Sequence, residues 1–571
     1  MTNASITAGT HGPSGGHTPA TSSVTGATGI GATGASGIAR STFDVLKAAY
    51  TSGRTRPLAW RRAQLDALCR MLVERRDELT EAVRVDLGKP AAETTLMELD
   101  LIASEARFVR DHMRRWSSRR PVAMPAALQP AFGWTMAEPK GVVLIIAPWN
   151  YPLLLALEPL ADALAAGNAV CIKPSELAPR TSALLARLIP RYLDGSAVAV
   201  VEGGADATGE LLAEPFDHIF YTGGERVGRI VMRAAAEHLT PVTLELGGKS
   251  PVFVDGTCDL AATARRIAWG RFTNAGQTCV APDYVLATPD VAEALARRIA
   301  LAVTEFFGED PRRSPDYGRI VDARHVERLS RLLPGGAVPP EAPVSPLVKA
   351  ASVFGAAVEM VGRRFGAHTA PERGAEHDAA TVGRGVRAER SRRAEPQSDG
   401  IVRVPGVTDP AGRVVCGGDI DRTARYIAPT VLFGTMPDAL VMGEEIFGPI
   451  LPVLVVADAA SAVRFINARP RPLAAYVFSR DRAVCRMFET RTTSGALGFG
   501  LPLGHLLSAR LPFGGVGASG MGAYHGKAGF LTFSHVKSVT VKPSWPDTLR
   551  LVYPPYDAMT QRVVAALSRM V

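Results

Sequence analysis

The sequence predicts an α/β protein whose parallel sheet is covered by helices on both faces. Three observations predict it. From Gly141 onward, short apolar runs rich in Val and Ile alternate with stretches of helical periodicity. The first and fourth of these runs end in polar or glycine-bearing turns, where open α/β sheets bind ligands. The chain has 571 residues, enough for two or more domains with a large core.

Residues 1–40 are almost entirely Gly, Ala, Ser and Thr, with a few Pro and His. Such a segment buries too little apolar surface to offset its ordering entropy, so a disordered tail is expected over 1–40. Thr25-Gly26-Ala27-Thr28-Gly29-Ile30-Gly31 within it imitates a nucleotide-binding turn. That turn needs a buried strand before it, and Pro19–Val24 is a poor one. From Ser41 to about Trp116, apolar residues recur at three- and four-residue spacing, which predicts helix. Strands are then expected at 141–147, 169–174, 198–201 and 218–222, with helices near 153–166 and 182–192. A second α/β section runs over 247–333 and resumes from 412 to the glycine-rich stretch near 522. Between them, 334–411 is rich in Pro, Gly, Ala and Arg without clear periodicity, and a largely disordered surface insertion is expected.

The totals exclude several classes of function. The formal charge is +9, but both signs are interspersed and no dense basic run stands out, so no nucleic-acid partner is expected. The six cysteines lie far apart, with no C-x-x-C pair and no metal-type spacing. That pattern suits free thiols in a reducing compartment and no metal site. No apolar run reaches the roughly eighteen residues that span a bilayer. No signal peptide is evident, and a cytoplasmic location is expected.

Five stretches carry residues suited to chemistry. Cys279 follows Asn274-Ala275-Gly276-Gln277-Thr278, a Gly-containing polar run that argues for a loop. A thiol there is either a buried small apolar group or, when ionised, a nucleophile. Glu245 lies between Leu244 and Leu246 at the end of an apolar run. Burial would raise its pKa into the range of a general base; the alternatives are an exposed strand position or a pairing with Lys249. Asn150, in Pro148-Trp149-Asn150-Tyr151-Pro152, is either a turn former or an amide donor to an oxyanion. Lys173 and Glu176 follow the second strand, where a dinucleotide fold holds ribose hydroxyls. The run from Tyr221 through Gly223, Gly224 and Gly228 to Arg229 could offer backbone N–H groups to a phosphate at a helix N-terminus.

Together, and in this order, these stretches resemble the aldehyde dehydrogenase superfamily, and its class 3 (fatty and aromatic aldehyde) branch in particular. The matching motifs are Pro148–Pro152, Lys173–Glu176, Leu244–Lys249, Gly276–Tyr284, Glu444–Pro449 and Pro512–Gly517. The stretches after Cys279 and around Tyr524-His525-Gly526-Lys527 look especially like class 3. The resemblance covers about 43–333 and 412–555. It implies a Rossmann-like cofactor domain (41–121 and 141–246), an α/β catalytic domain (247–333 and 412–523) and a small β oligomerisation arm (122–140 and 524–545), followed by a C-terminal tail over 546–571.

The resemblance also implies roles. Cys279 is the nucleophile, Glu245 the general base, and Asn150 with the Cys279 backbone N–H the oxyanion hole. Lys173 and Glu176 face the adenosine ribose. Gly223 and Gly228 belong to the pyrophosphate turn, and Glu445 and Phe447 attend the nicotinamide ribose and ring. The expected cofactor is NAD, with NADP possible; the substrate is an aldehyde and the assembly a homodimer. A CoA-acylating relative would not need Glu245, and a non-catalytic protein on the same fold would need neither Glu245 nor Cys279. Two departures stand out. The family's usual Gly-Ser after the fourth strand is Gly223-Gly224, and Gly498–Pro502 replaces a segment that carries Asn-Asp in class 3 relatives.

Overall fold

The computed structural model describes residues 35–125, 128–335 and 400–568. Eighteen strands fall into four sheets among the described residues. The helical region predicted from Ser41 is a set of helices: Ala35–Thr51, Leu58–Glu74, Arg76–Leu87 and Asp100–Ser117, with a π-helical turn at Thr95–Leu99. The first begins inside the expected tail. Ala39 is buried beside Phe43 and Leu46, and Arg40 pairs with Asp44 and Glu214, so 35–40 are anchored and the boundary at 40 is corrected to 34. The glycine run at 25–31 lies outside the described residues.

The chain then builds β1 (Arg120–Val122), β2 (Phe132–Pro139), β3 (Val142–Ile146), β4 (Ala169–Lys173), β5 (Val198–Val200), β6 (His218–Thr222) and β7 (Val242–Glu245). The order in the six-stranded sheet is β17-β7-β6-β3-β4-β5, where β17 is Gly520–Met521. Every residue of β3, β4 and β6 is buried. Such continuous apolar runs form because helices cover both faces of a parallel sheet. The chain winds outward from β3 to β5, then returns to β6 on the other side of β3. That reversal opens a crevice at the strands' carboxyl ends. β17 pairs antiparallel with β7, matching Gly520 to Glu245. The six-stranded sheet therefore borrows two residues from the segment assigned by sequence to the second domain.

The second sheet is built from β8 (Pro251–Val254), β9 (Tyr284–Ala287), β10 (Arg413–Cys416), β13 (Thr430–Phe433), β14 (Ile450–Val455), β15 (Ala474–Phe478) and β16 (Ala496–Phe499). Its order is β10-β13-β14-β9-β8-β15-β16, parallel except for the edge strand β10. Strands β11 (Ile420–Asp421) and β12 (Tyr426–Ile427) form a separate two-stranded ribbon. The expected insertion ends earlier than 411. Ile401 is buried and bridges Val456, and Val402 N–H donates to the Val455 carbonyl at 2.9 Å, so the chain is already attached at the carboxyl end of the interior strand β14 by residues 401 and 402. Residues 336–399 of that insertion lie outside the described residues.

The third sheet is ordered β1-β2-β18, with β18 at Ser534–Val541, and draws its longer strands from the segments 122–140 and 524–545. Strand β18 pairs with β2 over its whole length, from Ser534 opposite Pro139 to Val541 opposite Phe132. The segment 524–545 opens with a helix, Gly526–Thr532, because this stretch packs against the helices Leu154–Ala166 and Asp100–Ser117 before it reaches this sheet. The C-terminal tail carries a further helix, Ala558–Leu567, capped by the Asp557 carboxylate.

Candidate active site

The crevice beyond β3, β6 and β7 deepens into a cavity of about 660 Å³ between the two large sheets. Cys279, Glu245 and Asn150 all line it, from stretches more than a hundred residues apart where Asn150 and Cys279 are concerned. Thr222–Arg226, Glu445 and Phe447 line it too, as do the apolar side chains of Met97, Leu101, Leu154, Leu506 and Phe513.

Cys279 sits on a loop shaped by backbone that L-residues rarely adopt. Asn274, Ala275 and Gly276 have φ of 53°, 50° and 74°. Each such non-glycine residue costs on the order of 1–3 kcal/mol and persists only where its surroundings over-determine it. Here they do. Asn274 Nδ2 donates to the carbonyls of Asn150 (2.8 Å) and Gln277 (3.2 Å). Gln277 Nε2 donates to Asn274 (3.0 Å) and Arg319 (2.9 Å), and its Oε1 accepts from Val321 N–H. A Cβ on Gly276 would lie 2.2 Å from the Gly448 carbonyl, so only glycine fits. Cys279 itself is partly buried. Burial, with Glu445 and Glu245 nearby, pushes its thiol up to about 12.

Glu245 ends β7 almost wholly buried, and neither of its carboxylate oxygens has a hydrogen-bond partner among the described residues. Burial alone holds its pKa well above the usual carboxylate range. The pairing with Lys249 does not form. Lys249 turns instead to Asp283 at 2.6 Å and to the carbonyls of Val441 and Glu444. Asp283 also binds Arg271 Nη1 and the Ile446 N–H, tying β9 to the loop that carries Glu445.

Asn150 follows β3, buried, with Nδ2 donating to the Gln277 carbonyl at 3.0 Å. A side-chain amide has two N–H bonds, so one remains for a group in the cavity. Glu445 rests against Gly247, where an added Cβ would lie 1.9 Å from Glu445 Oε2. Its Oε1 is buried without a partner among the described residues. Burial and then Asp283 push its pKa up to about 8. Phe447, at φ 48°, meets the Trp149 ring edge-on at 5.4 Å.

Gly223 and Gly224 form a bare wall before the helix Glu225–Glu237, whose N-terminus carries no side-chain cap. Uncapped N–H groups beside a side-chain-free turn suit a diphosphate, and the unpartnered Glu445 Oε1 suits a ribose hydroxyl. The residues present therefore fit a dinucleotide. Gly228 lies one turn into the helix and is not among the residues that line the cavity. A Cβ there would come within 2.9 Å of Leu246, so its role is close packing of the helix on the chain after β7. Lys173 and Glu176 also lie outside the cavity wall, beyond β4 and adjacent to the crevice. They pair with each other at 2.9 Å, Lys173 buried and Glu176 half exposed. Burial opposes ionisation of Glu176, but its own backbone N–H and Lys173 more than offset this and lower its pKa.

Several site residues gave no usable signal in the sequence. Trp149, His325, Arg328, Glu158 and His525 all line the cavity. His525 stacks on Phe513 and lies 3.4 Å from Glu158. It falls in a motif noted above, but nothing in the motif indicates a cavity wall.

The comparisons agree with this geometry. The model of the aldehyde dehydrogenase family matches residues 19–337 and 406–539. Aldehyde dehydrogenase family 3 member A2 of Mus musculus is 40% identical over 89% of this chain and 90% of its own length. The dimeric, NADP-preferring aldehyde dehydrogenase of Canis lupus familiaris is 39% identical over 90% and 97%. Family 3 member B1 of Homo sapiens is 41% identical over 91% and 95%. Among solved structures, the substrate-bound AldH of Staphylococcus aureus superposes with a TM-score of 0.76 at 35% identity, covering 92% of this chain and 99% of that one. An NAD-dependent aldehyde dehydrogenase from Sinorhizobium meliloti gives 0.70 at 26%, covering 91% and 89%. With a family model spanning most of its length and class 3 relatives alike along almost all of theirs, this chain belongs to the aldehyde dehydrogenase family, class 3-like, and is an NAD(P)-dependent enzyme that oxidises aldehydes to acids.

Proposed function

We propose that the chain oxidises apolar, aromatic or medium-chain aldehydes through a thioester on Cys279. The observation that carries this reading is the meeting of one thiol, one unpartnered carboxyl and one amide on the wall of a single cavity that Met97, Leu101, Leu154 and Phe513 also line. The Cys279 sulfur, once deprotonated, adds to the aldehyde carbon and places a negative charge on the carbonyl oxygen. Asn150 Nδ2 and the Cys279 backbone N–H donate to that oxygen, each worth about 3–4 kcal/mol in comparable sites. The oxidised nicotinamide, when bound, supplies the acceptor for the hydride that leaves the carbon. Glu245 then takes a proton from water as the water oxygen adds to the thioester carbon, and the carboxylate departs with the thiol restored.

Purified protein with NAD and a panel of aldehydes tests this directly. Growth of the NADH absorbance with benzaldehyde and with C6–C10 aldehydes is expected, and much weaker activity with charged short aldehydes. No signal with NAD or NADP across the panel rejects the reading.

Glu176 supports a preference for NAD over NADP. Its pKa is lowered, so it stands ionised beyond β4, and a like-charged 2′-phosphate placed beside it is repelled, an effect that solvent screens because Glu176 is half exposed. Glu176→Gln is expected to narrow the NAD/NADP ratio of kcat/KM by roughly tenfold, about 1.4 kcal/mol. A wild-type enzyme that prefers NADP refutes the assignment.

The two large sheets serve as the cofactor and catalytic domains in this reading, and the arm of β1, β2 and β18 as the surface of a homodimer. Phe132, Val536 and Val541 stand exposed on that arm, and one class 3 relative is named dimeric. Among the described residues no helix is long and apolar enough to cross a membrane.

A further inference from the structure

We infer that Lys89 and Glu98 are positioning residues for Asn150, a buried ion pair that fixes the Asn150 peptide so that its side-chain amide faces the reacting carbonyl. This rests on the reading of Asn150 as an oxyanion donor.

Both side chains are fully excluded from solvent, and Lys89 Nζ lies 2.6 Å from Glu98 Oε1. The same ammonium donates to the Asn150 carbonyl at 3.0 Å and sits 3.9 Å from the centroid of the Tyr151 ring. Glu98 divides its oxygens. Oε1 takes Lys89, and Oε2 accepts the N–H groups of Leu153 and Leu154 at 3.0 and 3.1 Å, where the helix Leu154–Ala166 begins. One ion pair therefore grips the chain at Asn150 and again three and four residues later. Between those grips the backbone has little freedom. The Asn150 carbonyl takes a second donor from Asn274, on the loop that carries Cys279.

Stability alone does not explain this arrangement. A buried ion pair is often no better for stability than apolar side chains of the same volume. This one spends its hydrogen bonds on the turn that holds Asn150. Glu98 also lies in the π-helical turn Thr95–Leu99, and single π turns inside helices are frequent at functional sites. The extra residue of such a turn changes which side chains face inward, and Met97, Glu98 and Leu99 are all buried there. A donor displaced by about 1 Å costs roughly a hundredfold in rate, so a clamp on this peptide is worth a large catalytic factor.

A double-mutant cycle on the full-length enzyme tests the inference. Asn150→Ala alone is expected to lower kcat by roughly 10²–10³. Lys89→Met is expected to lower kcat by roughly 30- to 100-fold with the KM for NAD changed less than about twofold. The Lys89→Met/Asn150→Ala double variant should be within about twofold of Asn150→Ala, because the clamp has nothing left to position. Should Lys89→Met fail to fold, Glu98→Gln keeps an oxygen for Leu153 and Leu154, and the same cycle is run with it. Its loss should be roughly five- to tenfold and should likewise vanish in the Asn150→Ala background. Losses that multiply, or a folded Lys89→Met or Glu98→Gln enzyme with wild-type kcat, overturn the inference alone. An Asn150→Ala enzyme with undiminished kcat overturns the oxyanion reading as well.

Discussion

Replacing Cys279 with alanine should lower aldehyde oxidation by at least ~10⁴-fold, because no other group at the cavity can take its place as the nucleophile. The other cysteines do not line the cavity. Cys171 is locked inside β4, where burial pushes its thiol up to about 12. Cys279 has an equally raised thiol, but it faces a cavity that admits a substrate. NAD binding, read by calorimetry, and the melting temperature should be little changed, since the side chain makes few contacts that hold the loop. Asn274 and Gln277 do that work. Intact-mass spectrometry of the wild-type enzyme quenched during turnover should show an acyl adduct, and the alanine variant should show none. An alanine variant with a hundredth or more of wild-type activity would end the thioester reading.

The second large effect is expected at Glu245. In Glu245→Gln the first turnover should still release NADH as a burst, and the steady rate should fall by roughly 10²–10⁴, the usual worth of a general base. The pH profile carries an independent signature. Burial raises the Glu245 pKa, so the protonated acid predominates at low pH and the carboxylate that activates water forms only as pH rises. Wild-type steady turnover should therefore climb with pH at values well above the ordinary carboxylate range, and the glutamine variant should lack that climb. The sign of the stability effect follows from the same shift. A carboxyl whose folded pKa is raised binds protons more tightly folded than unfolded, so it costs stability as pH rises above the unfolded value. The glutamine variant, which cannot ionise, should melt no lower than wild type at pH 8. Full steady turnover in that variant would strip Glu245 of its role.

Much of the architecture was legible because local pattern and global fold agree. The continuous apolar runs at 142–146, 169–173 and 218–222 are strands since both of their faces are covered. The motif glycines mark points where a side chain would collide. Gly276 is such a point, 2.2 Å from another backbone carbonyl. Gly228 is another, where an added Cβ would lie 2.9 Å from the Leu246 side chain. The boundaries at 40 and 411 were misplaced. Ala39 and Ile401 look like parts of weakly patterned segments, and only distant partners make them ordered: β4 and the helix Ala205–Leu212 for the first helix, the end of β14 for Ile401.

The sequence by itself determined the α/β class and the order of its strands along the chain, because strand period and turn chemistry are local properties, and the resemblance of its motifs singled out Cys279, Glu245 and Asn150 as the candidates. Only the tertiary structure decided that Lys249 takes Asp283 and leaves Glu245 without a partner, and that Lys89 and Glu98 become a buried pair behind Asn150. Lys89 and Glu98 stand among many surface charges in a helical stretch, and nothing in their spacing separates them from those. Burial and pairing arise when elements remote in the chain close around a group and remove its water, and that removal is what turns an ordinary carboxyl or ammonium into part of a site.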